Sequence, residues 1–215
     1  MSFEAIEPLS DLDVEIRSTY TRVLQQIRLR LASSDAQIDN VPSGDSFEDV
    51  MSCEKSALQL RKVLELIVLS SLVSNRESLE AVSAAFRHHD RNANNARKLV
   101  RIVNPNYWPV PAVPIPLSRG ISLSKPIESG YLTEDAWGHA FGMTSELVHA
   151  TSPYRKLSKP AEIKKSLADL ASTIRTLLNE HYVVLVGGKK WVTGRLDDGT
   201  GKAQAGIAQR LEIKK

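Results

Sequence analysis

A few histidine and arginine side chains in this sequence have the chemistry needed for acid–base catalysis or for phosphate binding. Histidine changes charge near neutral pH and acts as an acid or a base. His149 stands where a predicted helix ends, shortly before Pro153. Two roles are open for it, because the dipole at a helix C-terminus favours a protonated ring. It either stabilises the helix end or serves as a catalytic acid or base.

Arg175 and His181 form a second candidate pair near the end of the last predicted helix. A match of this kind is expected by chance in a chain that has five histidines and many arginines. Six positions of an ideal helix rotate two side chains apart by about 240°. The two side chains therefore converge only if the helix ends or kinks between them.

Arg61 and Glu65 lie four residues apart, on one face of an otherwise apolar helix. An ion pair in apolar surroundings is costly unless its hydrogen bonds are satisfied. The pair is interpreted either as a partly buried structural ion pair or as the polar floor of a site between helices.

A basic cluster follows in the third predicted helix and is a candidate phosphate-binding surface. The alternative is an ordinary solvated helix face. The residues assigned to phosphate binding are Arg87, His88, Arg91, Arg97, Lys98 and Arg101.

Neither a metal site nor a cofactor is predicted. His88 and His89 are adjacent and diverge by about 100° on a helix. The single cysteine, Cys53, makes a cysteine-based metal site very unfavourable and fits a structural role. The segment GRLDDGTGKAQAG is rich in glycine, but it lacks the residue order of a phosphate-binding loop.

The elements that position these residues are mostly helices. Apolar residues at helical spacing predict helices over Asp11–Ala32, Phe47–Val73, Arg76–Val103 with a break near Asn92–Asn95, Thr133–His149, and a last helix opened by Ser158 and Pro160. Five prolines between Pro105 and Pro116 argue against helix and against a central strand, so this segment is predicted to be an extended connector.

The tail changes to β periodicity, with Gly-Gly and Asp-Gly turns between short runs, and this predicts a three-stranded antiparallel meander. The predicted fold is therefore mainly α: a helical bundle with a C-terminal three-stranded β-meander, of the α+β class. The predicted organisation assigns the bundle to 1–104 and 131–181, the proline-rich connector to 105–130, and the meander to 182–215.

The N-terminus has no apolar run, the longest apolar stretch is too short to span a bilayer, and the single cysteine suits a reducing compartment. These features predict a cytoplasmic protein without a signal peptide or membrane segment. The net charge is only +3. A net charge this small does not by itself indicate nucleic acid, so any such case depends on local clustering.

Two groups of segments resemble known proteins. LQLRKVLELIVLSSL resembles the central helix of HEPN-type helical bundles. ARKLVRIVNPNYWP, LTEDAW, ELVHATSPY, NEHYVVL and KKWVTGRL resemble a group of uncharacterised bacterial proteins of similar layout. HEPN proteins are commonly metal-independent ribonucleases or their inactive relatives. They often dimerise and occur in toxin, defence or RNA-processing systems.

The HEPN resemblance implies an Arg-(four to six residues)-His motif, which falls here on Arg175 and His181. The polar residue that usually follows the arginine is Thr176. The position of this motif, at a helix end leading into a strand, departs from the family pattern.

Two functions are therefore expected. The first is an RNA-directed, HEPN-like protein with ribonuclease activity. In it, His181 or His149 acts as acid or base, Arg175 holds the scissile phosphate, and the basic cluster binds the RNA backbone. The second is a non-catalytic interaction or sensor module with a protein partner. A homo-oligomer is expected in either case.

Overall fold

The computed structural model describes residues 8–39, 46–75, 93–118, 121–149 and 159–209 of the chain. That part of the chain contains five helices and five strands. The helices are α1 (Asp11–Asp39), α2 (Phe47–Ser74), α3 (Ala93–Val103), α4 (Glu134–Val148) and α5 (Pro160–Leu178). The strands are β1 (Val110–Ser118), β2 (Ile121–Pro126), β3 (Glu180–Val184), β4 (Lys190–Arg195) and β5 (Gln204–Gln209).

The chain forms two compact units. The sheet unit combines residues 1–25, 67–128 and 178–215, and it therefore contains all five strands together with α3. The helical unit combines residues 26–66 and 129–177, and it contains α4 and most of α5. Helices α1 and α2 each contribute residues to both units.

The first two helices begin with the same capping arrangement. The backbone N–H of Ser10 donates a hydrogen bond to Asp13 Oδ2 at 2.9 Å, and the backbone N–H of Asp13 donates to Ser10 Oγ at 3.1 Å. Ser46 and Asp49 repeat this exchange at 3.1 and 3.2 Å. Reciprocal bonds of this kind satisfy amide groups that have no partner inside the helix, which explains where both helices start.

Helix α1 is longer than the sequence predicted. The expected end was Ala32, with a polar loop after it, but the helix continues to Asp39. A polar residue of this stretch is used in packing rather than in a loop, since Ser34 Oγ is hydrogen-bonded to Ser56 Oγ of α2 at 2.7 Å and both residues are fully buried. Ile38 is also buried. Tertiary contacts thus outweigh weak helix propensity here.

Helices α4 and α5 belong to the helical unit. Helix α4 lies where it was predicted and α5 begins at Pro160 as expected, while the predicted cap Ser158 lies outside the described residues. Thr133 Oγ1 accepts a hydrogen bond from the N–H of Ala136 at 3.1 Å and caps α4, which ends at Val148 with His149 as its C-terminal cap. Trp137 is fully buried, and its Nε1 donates to the carbonyl of Leu64 at 3.0 Å. The buried stripe of α5 within this unit is formed by Leu167, Leu170, Ala171, Ile174 and Leu177.

The sheet has five antiparallel strands in the order β2-β1-β3-β4-β5. The predicted meander is present as β3, β4 and β5, but the prediction of three strands was wrong. Two more strands, β1 and β2, come from the segment that was expected to be a connector. Strand β1 lies between β2 and β3, although it pairs with β3 only at Val110 and Pro111.

The alternation of backbone direction explains why two of the prolines of β1, Pro114 and Pro116, are tolerated. The N–H of Ile127 donates to the carbonyl of Pro111 at 2.8 Å, so odd-numbered residues of β1 direct their backbone groups toward β2. Pro114 and Pro116 are even-numbered, and their missing N–H groups face the other side, where β3 no longer pairs. Proline excludes a central strand only where a ladder hydrogen bond needs the N–H group.

Asn104 links three elements of the sheet unit. Its Nδ2 donates to Asn75 Oδ1 at 2.8 Å and to the carbonyl of Val184 at 2.7 Å, while its Oδ1 accepts from the N–H of Asn106 at 3.0 Å. Asn104 and Asn75 are both buried. This satisfied polar network fixes the chain just before β1 relative to the ends of α2 and β3.

Candidate functional site

His181 lies on the face of β3 that is turned into the sheet unit, and only 4% of its surface is exposed. Its Nδ1 is 3.0 Å from the carbonyl oxygen of Leu178, which can only accept, so Nδ1 carries the proton. Its Nε2 then accepts a hydrogen bond from the hydroxyl of Tyr20 at 2.8 Å. The ring is neutral, and both of its nitrogen atoms are bonded.

The protonation states of this pair follow from burial. Loss of hydration lowers the pKa of His181 to about 4, although the hydrogen bond to Leu178 acts in the opposite direction. Burial also raises the pKa of Tyr20, so its hydroxyl keeps the proton that it donates. At neutral pH the pair is therefore uncharged.

The first half of α1 lies against the same face of the sheet. Lys190 Nζ donates to Asp13 Oδ2 at 2.8 Å, and Gln25 Oε1 accepts from the N–H of Ala203 at 3.0 Å. Burial raises the pKa of Asp13, but the hydrogen bonds from Lys190 and Ser10 outweigh it, so this pKa lies below its usual value. Tyr20 reaches His181 because α1 is held on the sheet in this position.

Arg175 belongs to the helical unit, where it forms an ion pair with Asp35. Its predicted partner His181 belongs to the sheet unit and is bonded to Tyr20 and Leu178. Each of the two residues thus makes the hydrogen bonds described here within its own unit. Their assignment as a catalytic pair stays a prediction.

Arg61 and Glu65 form the expected ion pair, with Arg61 Nε 3.4 Å from Glu65 Oε1 and with 23% and 22% of the side chains exposed. The Arg61 guanidinium also lies 4.3 Å from the ring centroid of Phe141 and donates to Ser145 Oγ. Glu65 accepts a second bond from Lys62 at 2.8 Å. The arrangement connects α2 to α4 through satisfied polar groups and fits a structural role.

The remaining predicted residues are His149 and the basic cluster. His149 is exposed at the C-terminal cap of α4. In α3 the buried face is formed by Ala93, Ala96 and Val100, whereas Lys98 and Arg101 are exposed and Arg97 is half-buried. The other three residues assigned to phosphate binding, Arg87, His88 and Arg91, lie outside the described residues.

A half-exposed aromatic pair on the sheet was missed by the sequence reasoning. Tyr182 of β3 and Trp191 of β4 stack with ring centroids 4.7 Å apart and ring planes 18° from parallel. Both residues lie on the face opposite to His181, here called the outer face, and both are half-buried. Because side chains alternate between the two faces of a strand, the predicted strand over YVVLV was the signal that could have placed Tyr182 on the face opposite to His181.

Beside the aromatic pair, the β5 residues of the outer face have small side chains. Tyr182 of β3 lies opposite Thr193 of β4, which in turn lies opposite Gly206 of β5. Trp191 of β4 lies opposite Ala208 of β5. Gly206 is tightly fitted, since a Cβ added there would lie 2.9 Å from Thr193 Oγ1. Exposed cations stand at both ends of β4: Lys189 precedes the strand, and Arg195 closes it in an ion pair with Glu180.

Among the described residues there is no group of three or more histidine, cysteine, aspartate or glutamate side chains that could hold a metal ion. Cys53 is buried, and burial raises the pKa of its thiol, which fits its structural interpretation. None of the helices in the described ranges has the length and apolar character needed to cross a membrane.

Comparison of the chain with protein-family models, with curated proteins and with solved structures found no match.

Proposed function

We propose that this protein binds single-stranded RNA on the outer face of its sheet and does not cleave it. The observation that carries the proposal is the half-exposed stack of Tyr182 and Trp191. Every base has an aromatic face, so exposed aromatic side chains on a sheet bind single strands with little regard to sequence.

The neighbouring residues leave room for a third ring. A base that extended the stack on the β5 side of Trp191 would lie over Ala208, which has one of the smallest side chains of this face. A larger side chain at this position would occupy that space. The outer face is therefore suited to a planar ligand that inserts beside Trp191.

Charge supports a phosphate-bearing ligand. Lys189 and Arg195 are exposed cations that flank the aromatic pair along β4. Basic residues beside a stacking surface follow the backbone of a single strand. The resemblance to HEPN-type bundles favours the same ligand, because RNA is the usual substrate of that group.

The environment of His181 argues against cleavage by the predicted Arg175–His181 motif. A general base needs a lone pair within hydrogen-bond reach of the proton that it removes. The Nε2 lone pair of His181 is taken by Tyr20, and the ring is 4% exposed. Catalysis by His181 would require this buried pair to separate first.

Fluorescence anisotropy with a labelled RNA of about 12 nucleotides tests the proposal, since single-strand site sizes lie in this range. Loss of one stacked base costs about 1–3 kcal/mol, so Trp191→Ala should weaken binding by about 5- to 150-fold. Phe47→Ala is the matched control, because Phe47 is an exposed aromatic residue of the helical unit. Equal affinities for wild type and Trp191→Ala would refute the proposal.

A cleavage assay without metal tests the second half of the proposal. Total RNA and tRNA are incubated with wild type, His181→Ala and His149→Ala, and they are expected to stay intact in each case. Cleavage by wild type that either substitution abolishes would instead establish a ribonuclease and identify its histidine.

A further inference from the structure

The ribbon formed by β1 and β2 extends past the rest of the sheet. Beyond Pro111, β1 pairs only with β2, and the described side chains on one face of the ribbon include three exposed large apolar residues. Val113 is 53% exposed, Ile115 is 38% exposed and Leu123 is 55% exposed. A two-stranded ribbon alone is marginally stable in water, so this apolar face is costly to leave open.

Only one edge of the ribbon can accept another strand. On the β1 edge, Pro114 and Pro116 lack the N–H groups that a neighbouring strand would need, which is a common protection against pairing. On the β2 edge, the even-numbered residues Ser122 and Ser124 direct their backbone groups outward, because Leu123 and Lys125 are the residues that bond to β1. In the described part of the chain β2 has no second neighbour.

We propose that β2 pairs with β2 of a second copy of this chain, antiparallel and with Leu123 opposite Leu123. In this register Ser122 of each copy faces Ser124 of the other, so every outward N–H group in the pair is used. The two leucines meet in a non-hydrogen-bonded pair, where side chains approach most closely. The same residues face each other in both directions, as a two-fold interface requires.

The positions of Pro126 and Lys125 favour this register over the one that is centred on Ser124. Centring the pair on Ser124 would place Pro126, which has no N–H, in a position that needs one. It would also bring the two copies of Lys125 within two residues of each other. With Leu123 at the centre, the lysines lie four residues apart, roughly 13 Å along the strand, where salt largely screens their repulsion. Lys125 is the one charged residue in the β1 and β2 strands.

The oligomeric state of the full chain tests this pairing. Sedimentation equilibrium should give twice the chain mass of 23.8 kDa for wild type. Ser124→Pro should give the single-chain mass, because it removes an outward N–H without touching the bonds to β1. Ser124→Ala keeps that N–H and should remain dimeric. A monomeric wild type, or a Ser124→Pro dimer as stable as wild type, would overturn the proposal.

A cross-link gives a second measurement that does not depend on the proline variant. Opposed residues in a non-hydrogen-bonded pair have Cα atoms about 4.5 Å apart, within the range that a disulfide spans. Leu123→Cys should therefore oxidise to a covalent dimer, whereas Val113→Cys, exposed on β1, should not. The native Cys53 is buried and does not compete. Equal cross-linking of both variants, or none by Leu123→Cys, would contradict the register.

Discussion

His181 donates a hydrogen bond to Leu178 and accepts one from Tyr20, so the neutral ring has all of its bonding capacity used. Sequence spacing pointed to His181 as a site residue but not to its environment. Its partner Tyr20 lies far away in the chain, and no local pattern connects a residue of α1 with a residue of β3. The Arg175–His181 spacing likewise carries no information about burial or about which ring nitrogen is free.

The buried, neutral state of His181 predicts a specific pH dependence of stability. Its pKa falls from 6.5 to about 4 on folding, so the unfolded chain binds more protons between these values. The free energy of unfolding therefore has its full contribution from His181 above pH 6.5. This contribution falls by about 3 kcal/mol as the pH is lowered toward 4.

Urea denaturation at several pH values between 7 and about 4 measures this effect. The free energy of unfolding of wild type should fall more steeply with decreasing pH than that of His181→Gln, which cannot titrate. Carboxylates such as Asp13 contribute to both proteins and cancel in the difference. Parallel curves for the two proteins would show that His181 is not buried in the neutral form.

At the scale of elements, helices were easier to predict than strands. Helical spacing and local caps placed α2, α4 and the start of α5, because those signals lie within a few residues of each other. The strand β1 was missed because its prolines were judged by residue type alone. Whether a proline disrupts a sheet depends on which edge its nitrogen faces, and the pairing that decides this is not visible in the segment itself.

The packing of β4 against its neighbours depends on a residue without a side chain. A Cβ at Gly194 would lie 2.3 Å from His181 Cε1 on β3 and 3.0 Å from Leu24 Cδ1 on α1. Gly194→Ala should therefore lower the free energy of unfolding by about 1–3 kcal/mol, the usual cost of overpacking a core. Urea denaturation gives the value.

Two further variants control this experiment. Gly138 lies in α4 with no atom within 4 Å of an added Cβ, so Gly138→Ala should raise stability by about 0.5–1 kcal/mol. Combining Gly194→Ala with His181→Ala should cost less than the sum of the two single changes, because the clash is then removed. Strictly additive effects would mean that the histidine ring is not what Gly194 accommodates.

At the scale of the whole molecule, a net charge of only +3 gives little overall attraction for RNA, so binding has to depend on local clusters of cations. A surface that binds RNA must then concentrate its cations, and α3 does so on one side. Its apolar residues Ala96 and Val100 are buried, which leaves Lys98 and Arg101 exposed. The sequence singled out Lys98 and Arg101 as part of a basic cluster, and their role in phosphate binding stays a prediction. It could not show that the aromatic stack of β3 and β4 belongs to the same unit as α3.

The salt dependence of RNA binding tests whether α3 contributes to the proposed surface. Each phosphate contact on a single strand adds about 0.7 to the slope of log K against log salt concentration. Lys98→Ala should therefore reduce the slope by about this amount, while Trp191→Ala lowers affinity with the slope nearly unchanged, because stacking releases few ions. Lys55→Ala, an exposed lysine of the helical unit, should leave both slope and affinity as in wild type. A slope that Lys98→Ala does not change would remove α3 from the binding surface and leave the ligand to the cations that flank β4.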